Sequence, residues 1–509
     1  MLSVLSLVGY VAAILLARHI LQRINEESKI RKLGGHAAKR TSWVPFGLEI
    51  IYDSVVYLLK NQFLELWLRL FKTYGNPTNP WTIEARAAGQ RVIMTADEEN
   101  IKAILASQFG EYGKGRVFNE EWHDFLGDSI FTTDGEKWHD SRQLLRPQFI
   151  KDRVSDLHTF ENHVKELLPL LAGQRPGEAV DVVDLFFRFT LDAATEFLLG
   201  QSVHSLNNPD DRFADAFSKV QHTQGIIARA GPLNRFIPRK LFYEKLKVMD
   251  GVIQPFIEKT LRLSPGELEN KGKSDEGYNF LYALAGYTRD RTVLRDQIAA
   301  VLLAGRDTTA CTLSWMFYEI SRQPHIVEKL RSEVLNTVGS EKLPTYADLK
   351  SMRFLQHTIN ETLRIYPIVP FNVRVALKDT TLPHGGGPDG SQPIGVLKDT
   401  PVGYSTLALQ RREDIYPPTS ASFPDPTKFA PERWENWIPK SWTYIPFNGG
   451  PRICIGQQFA LTEVAYTTVR ILQTFSRLES RTDKHPGLKS DIVLQPAEGV
   501  KVVFSKDEK

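Results

Sequence analysis

Apolar residues recur at three- and four-residue spacing along most of the chain. The clearest runs are YLLKNQFLELWLRLFKTYG from residue 57, FENHVKELLPLLAG from 160, FFRFTLDAATEFLLG from 186, VIQPFIEKTLRL from 252 and LRDQIAAVLLAGRDTTACTLSWMFYEISRQP from 294. Each ends near Gly or Pro, and each predicts a helix. Strand-like segments are short: WTIEAR, QRVIMTA, NVRVAL, KDTPVGYSTLAL and EGVKVVF. The pattern predicts a mainly α body with a small β-rich side. No Gly/Ser linker interrupts residues 50–509, which therefore read as one domain. PHGGGPDGSQP, residues 383–393, lacks GK[ST] and a following helical pattern, so it reads as a turn between two strands rather than a phosphate loop.

The N-terminus departs from this amphipathic pattern. It is apolar from Leu2 to Leu16, and Ile20 and Leu21 extend the run past Arg18 and His19. About 20 such residues span a bilayer. A signal peptide carries basic residues ahead of its apolar run, whereas here they follow: Arg18, Arg23, Lys29, Arg31, Lys32, Lys39 and Arg40. A cleaved leader and a core helix are the plainer readings. The charge order instead favours an uncleaved transmembrane anchor over residues 1–24, with everything beyond it cytosolic. A basic Gly/Pro hinge, residues 25–49, then joins it to the domain.

Composition narrows the chemistry. The chain is 42% hydrophobic and 24% charged, and its net charge of +3 is too mild to argue for nucleic acid. Two cysteines in 509 residues exclude a disulfide framework and a multi-cysteine zinc site, and fit a reducing compartment.

One of the two lies in YIPFNGGPRICIGQQFALTEVAY, residues 444–466. Cys454 directly precedes a long helical pattern, where the positive dipole end and unpaired N–H groups favour a thiolate. Gly449, Gly450 and Gly456 let the backbone approach a flat partner and turn N–H groups toward sulfur. Arg452 can pair with an anionic group on that partner. A flat anionic cofactor whose metal is bound by one thiolate is haem. For an isolated cysteine, a buried structural residue in a Gly-rich turn would be the better reading. Here F-x-x-G-x-R-x-C-x-G is filled by Phe447, Gly450, Arg452, Cys454 and Gly456.

Other segments bear on this. AGRDTT, residues 304–309, lies in the longest helical run, whose flanks are apolar nearly all round, as in a buried helix. There the Thr308 hydroxyl can bond the carbonyl of Ala304, and Asp307 can relay protons. In HTINETLRIYP, residues 357–367, Glu361 and Arg364 stand one turn apart. Exposed, such a pair contributes only about 0.3–0.5 kcal/mol and is a weak signal. In GEKWHDSRQLLRPQF, residues 135–149, Trp138 and Arg142 share a helix face, as in any amphipathic helix.

Together these segments resemble the cytochrome P-450 superfamily of haem-thiolate monooxygenases over essentially the whole chain. In TLDAATEFLLGQSVHSL and in the cysteine and AGRDTT stretches the chain is most similar to the fungal membrane-bound hydroxylases of n-alkanes and fatty acids. The resemblance implies the superfamily's mainly α fold with a small β side. It implies haem b with Cys454 as thiolate ligand and metal-binding residue. Around the haem it places Phe447, Gly450, Arg452 and Gly456, with Trp138, Arg142 and Arg374 at the propionates. It makes Thr308 and Asp307 the catalytic alcohol–acid pair. It makes Glu361, Arg364 and Arg433 of PERW a structural lock behind the cysteine loop.

The implied reaction is hydroxylation of a lipid-like substrate, a fatty acid or n-alkane, at the terminal carbon in the family's manner, from O2 and NADPH. No flavin or dinucleotide fingerprint is present, so electrons are expected from a separate NADPH–cytochrome P-450 reductase in the same endoplasmic reticulum membrane. Apolar residues expected near haem are Val301, Leu302, Ala304, Val369, Pro370 and Phe371, each equally well read as core. Three alternatives stay open: a hydroxylase of sterols or secondary metabolites, a peroxide-rearranging haem enzyme, and a haem sensor. The stretch RREDIYPPTSASFPDPTKFAPERW is longer than is usual in the superfamily and is expected to alter a surface loop.

Overall fold

The run from residue 294 forms most of a 30-residue helix, Arg291–Ile320. Asp290 caps it, its carboxylate accepting from the N–H groups of Thr292 and Val293. In the computed structural model, which describes residues 4–149, 157–268, 279–420 and 423–506, this helix is the axis of the fold. Its first half, through Leu303, packs in one apolar core with the helices Gly115–Leu126, Arg212–Ala230 and Lys240–Leu261. Its second half, from Ala310, packs in another core with the helices His158–Leu171, Arg353–Ile365 and Gln457–Thr474 and with the strands. Helix Val182–Leu199 runs beside it and feeds both cores, Phe186 and Phe189 into one, Leu191 and Leu198 into the other. The AGRDTT stretch falls at the seam between them.

The largest sheet has six strands in the order 38–39, 82–87, 90–95, 401–405, 371–376 and 112–113. PHGGGPDGSQP supplies the turn of the hairpin Thr380–Gly386 with Gln392–Val396. Two expectations change. The strand read over KDTPVGYSTLAL stops at Ser405, whose hydroxyl accepts from the Ala408 N–H and starts the helical turn Thr406–Leu409. The helix read from residue 57 divides into Leu48–Leu59 and Phe63–Tyr74, with Asn61 at a left-handed φ of 56° between them.

The expected anchor needs a larger correction. The first helix is continuous from Val4 to Lys32, past the boundary drawn at residue 24. Among the described residues no helix is long and apolar enough to cross a membrane. Charges enter this helix at Arg18, Arg23, Glu26 and Glu27, and the apolar run begins in residues outside those described. Its last turns dock on the body. Ile30 is buried, Lys29 pairs with Asp379 at 2.9 Å, and the Gly395 N–H donates to the Gly35 carbonyl. The stretch read as a hinge is packed too. Residues 38–39 pair with 83–84, and Arg40 reaches Asp53 at 3.1 Å.

Candidate active site

Between residues 296 and 318 the central helix is buried except at Ala304, Gly305 and Thr308. Residues 304 and 308 share a face, and the Thr308 hydroxyl donates to the Ala304 carbonyl at 2.7 Å. A Cβ on Gly305 would stand 3.8 Å from Ala194, an ordinary contact. Asp307 lies off this face, buried, and its Oδ1 accepts from Arg306 Nη1 at 3.2 Å. Of the apolar residues expected nearby, Val301, Leu302 and Pro370 are packed away, Phe371 is half-buried, and Val369 is accessible.

The cysteine loop is held by its own backbone. The Cys454 N–H donates to the Phe447 carbonyl at 2.9 Å, and the Ile453 N–H to the Gly450 carbonyl at 3.0 Å. Gly450 has a φ of 64°, and a Cβ there would fall 1.8 Å from the Leu105 carbonyl oxygen, so only glycine fits. Gly456 is not so constrained, since its Cβ would meet only the Phe149 ring at 3.8 Å. Arg142 Nη1 donates to the Ile453 carbonyl at 3.1 Å, which places Trp138 and Arg142 against the loop. Cys454 has accessible surface but protein crowds it on its other sides. Burial pushes its thiol up, while the Gly456 N–H and Arg142 pull it back.

A group of cations stands beside this loop. Arg452 lies over the Trp138 ring at 4.7 Å and donates through Nη2 to Asp134 Oδ1 at 2.6 Å. Arg374 is buried and donates through Nη1 to Asn372 Oδ1 at 2.7 Å. Lys114, which the sequence reading missed, completes the group. Burial, with Arg374 and Arg452 nearby, drives its ammonium well below the ordinary range. The same forces hold Arg452 down to about 10. Asp134 is the carboxylate that opposes these cations, and among the described residues Arg452 Nε is buried without a partner. The arrangement has room for further negative charge, as two propionates of a flat group seated against Cys454 would bring. The residues present therefore fit haem.

Behind the loop lies a fully buried charge network. Glu361 accepts from Arg364 Nε at 2.8 Å and Nη2 at 2.9 Å, and from Arg433 Nε at 2.9 Å. Two donors were not foreseen: Trp434 Nε1 at 3.0 Å and the Ala430 N–H at 2.9 Å. Tyr416, from the long loop expected to matter only at the surface, accepts from Arg364 Nη1 at 3.3 Å. That loop thus reaches the network, and a small aromatic cluster of Tyr416, Phe423 and Trp437 holds it. A further buried acid was also missed. Glu463, on the helix after Cys454, faces Thr309, and burial pushes its carboxyl up to about 8 against the pull of that hydroxyl.

The family model described as cytochrome P450 matches residues 47–504. The chain belongs to the cytochrome P450 family. It is 50% identical to cytochrome P450 monooxygenase pvhE of Talaromyces variabilis over 95% of this chain and 93% of the relative. It is 39% identical to cytochrome P450 52A12 of Debaryomyces hansenii over 95% and 94%. With cytochrome P450 52A1 of Candida tropicalis the identity is 42% over 83% and 79%. This cytochrome P450 is a monooxygenase and an oxidoreductase, with haem b and a cysteine thiolate as its axial ligand. Like others of the family it uses O2 and a redox partner reductase.

Proposed function

We propose that this cytochrome P450 hydroxylates medium- to long-chain fatty acids or n-alkanes, mainly at the terminal carbon. The observation that carries the reading is the accessible face at the seam of the two cores. Ala304 and Gly305 offer no charge, and the Thr308 hydroxyl beside them is already bonded to a carbonyl. Such a wall suits an alkyl chain, whose burial contributes about 0.8 kcal/mol per methylene. The resemblance to fungal alkane and fatty-acid hydroxylases supports the same class.

Haem held by Cys454, with Arg452, Arg374, Arg142, Trp138 and Lys114 around its acidic edge, would supply the oxygen-activating chemistry. The chain's own residues do the rest. Terminal C–H bonds are stronger than their methylene neighbours, so the walls must admit the chain end-on and let position decide the site of attack. Thr308 and Asp307 hold and pass the protons that dioxygen cleavage consumes, in a site kept otherwise dry. Glu361, Arg364 and Arg433 keep the cysteine loop in place.

Electrons come from a separate NADPH–cytochrome P-450 reductase. The enzyme is attached to the endoplasmic reticulum membrane through its first helix, with the catalytic domain in the cytosol. Leu7, Val11, Ile14, Leu15, Leu16 and Leu21 of that helix are all exposed, on several sides at once, which supports burial in lipid. Products formed from C10 to C18 acids and alkanes, identified by gas chromatography and mass spectrometry, test the substrate. Mainly in-chain alcohols, or turnover of a sterol or polyketide with none of the lipids, would overturn it. Removal of residues 1–24 is expected to release a folded haem protein from the sedimenting membranes, and loss of haem on truncation would defeat the anchor.

A further inference from the structure

Arg306 has no part in the reading above. It stands between Gly305 and Asp307 and is 6% exposed. Its guanidinium lies over two aromatic rings, Phe187 at 5.1 Å and Phe217 at 5.2 Å, a setting suited to a weakly hydrated planar cation. Nη1 donates to Asp307 Oδ1 at 3.2 Å and Nη2 to Ser218 Oγ at 3.1 Å, while Nε is buried without a partner among the described residues. Ser218 lies on helix Arg212–Ala230, one turn before Gln221, and Gln221 faces the Asp307 carboxyl. The Gln221 amide nitrogen is itself buried and closes no hydrogen bond of normal geometry. One helix therefore sends Phe217 and Ser218 to the arginine and Gln221 toward the acid. Ser218 is also solvent-exposed, so the arginine runs from the buried acid to the protein's edge.

We propose that Arg306 is a positioning residue that couples the seating of helix Arg212–Ala230 to proton delivery by Asp307. With the helix seated, Ser218 and Phe217 hold the guanidinium, and the guanidinium holds the carboxylate. When the helix shifts, Arg306 loses both supports, and Asp307 is released to take a proton from water at the Ser218 edge and pass it toward Thr308. Each cycle leaves the carboxyl as it began, so one proton crosses per turn. Loose, incomplete bonding suits this, since a fully satisfied arginine would resist moving.

The groups facing Asp307 set the expected sign. Burial raises its carboxyl, and Arg306 and Gln221 oppose that. Cys311, one turn on, is a neutral thiol, raised by burial and by Asp307, and Lys489 acts on it from the strand Leu488–Ser490. Glu463 faces Thr309 instead. Removing the Arg306 charge therefore raises the Asp307 pKa, and the acid limb of coupled turnover moves to higher pH by about one unit or more.

The proposal rests on Asp307 relaying protons, and the test separates the two. Full-length holoenzyme with reductase is assayed with dodecanoic acid for NADPH consumed, peroxide released and product formed, across pH. Hydrogen exchange of residues 212–230 is measured in the same proteins. Arg306→Met is expected to release several-fold more peroxide per NADPH, to shift the acid limb upward and to lose exchange protection in 212–230. Arg306→Lys should recover part of each effect. Ser218→Ala with Gln221→Leu, which leaves the central helix untouched, should reproduce the shift in part. Parent-like coupling and pH profile in Arg306→Met overturn the proposal. So does loss of haem in Arg306→Met combined with parent-like behaviour of the double variant. Asp307→Asn at parent coupling would sink the relay itself, whereas uncoupling in Asp307→Asn alone would sink only the role of Arg306.

Discussion

The molecule buries two acid–arginine groups, and they are built on opposite principles. Glu361 receives five donated hydrogen bonds, from Arg364 twice, Arg433, Trp434 and the Ala430 backbone. Among the described residues Asp307 receives one longer one, from the Arg306 beside it, with Gln221 facing it. Burial opposes ionisation at both sites. At Glu361, Arg364 and Arg433 outweigh it and hold the carboxyl below its ordinary value. At Asp307 burial prevails over Arg306, and the carboxyl is raised. A carboxylate with every lone pair engaged is a fixed strut, whereas one with spare acceptor capacity and a raised pKa is fit to exchange a proton.

The largest effect expected comes from breaking the strut. Glu361→Ala leaves two arginines buried without their anion, which costs about 3–5 kcal/mol. That is a large share of the roughly 5–15 kcal/mol that holds a domain folded. Haem content and the thermal unfolding of the purified protein should both collapse, and a stable holoprotein from this variant would reduce the network to decoration. Close behind comes the cysteine loop, which we propose the strut braces. Cys454→Ser should lose haem or lose the strongly red-shifted Soret band of the reduced carbonyl complex. Cys311→Ala, changing a buried thiol on the central helix, should keep that band.

The two sites were not equally legible in the sequence. Cys454, Arg452 and Gly450 stand out because fixed spacing in one short loop encodes them. The Glu361 network was legible only through its motif, because spacing alone suggested an exposed pair of little worth. Arg364 and Arg433 supply most of its strength, and Trp434, the Ala430 backbone and Tyr416 add to it from far along the chain, which no local pattern announces. Lys114 and Arg306 were missed for a related reason. A lone basic residue reads as solvated surface until the fold encloses it. The helix boundary at Lys60–Gln62 and the strand end at Ser405 escaped because apolar periodicity continues across a backbone break.

At the poised site the expected loss is in coupling rather than in assembly. Thr308→Ala removes a hydroxyl bonded only to its own helix, so haem content and substrate-induced spectral change should stay near parent values. Product per NADPH should fall about tenfold or more, with peroxide taking the balance, since positioned acid–base groups contribute about 10²–10⁴-fold. Unchanged coupling would make Thr308 a packing residue, and the contrast between the two sites would lose its functional half.

The smallest effect tests the contrast most directly, because the two carboxyls pull stability in opposite directions with pH. Glu361 has a lowered pKa in the fold, so its contribution is complete above about 4.3, the ordinary glutamate value, and is lost as pH falls through the lower folded value. Asp307 has a raised pKa, so the stability its protonated form contributes is complete below about 3.9 and is lost as pH rises through the higher folded value. Asp307→Asn cannot ionise and lacks that second loss. The stability of the parent relative to Asp307→Asn should therefore decline as pH rises above about 3.9, by about 1.4 kcal/mol for each unit by which the pKa is raised. Urea unfolding midpoints of the two holoproteins, compared at matched pH, give the difference. A gap that moves in the parent's favour as pH rises would mean that Asp307 is held ionised as Glu361 is, and that its single bond to Arg306 is a second strut rather than a release point.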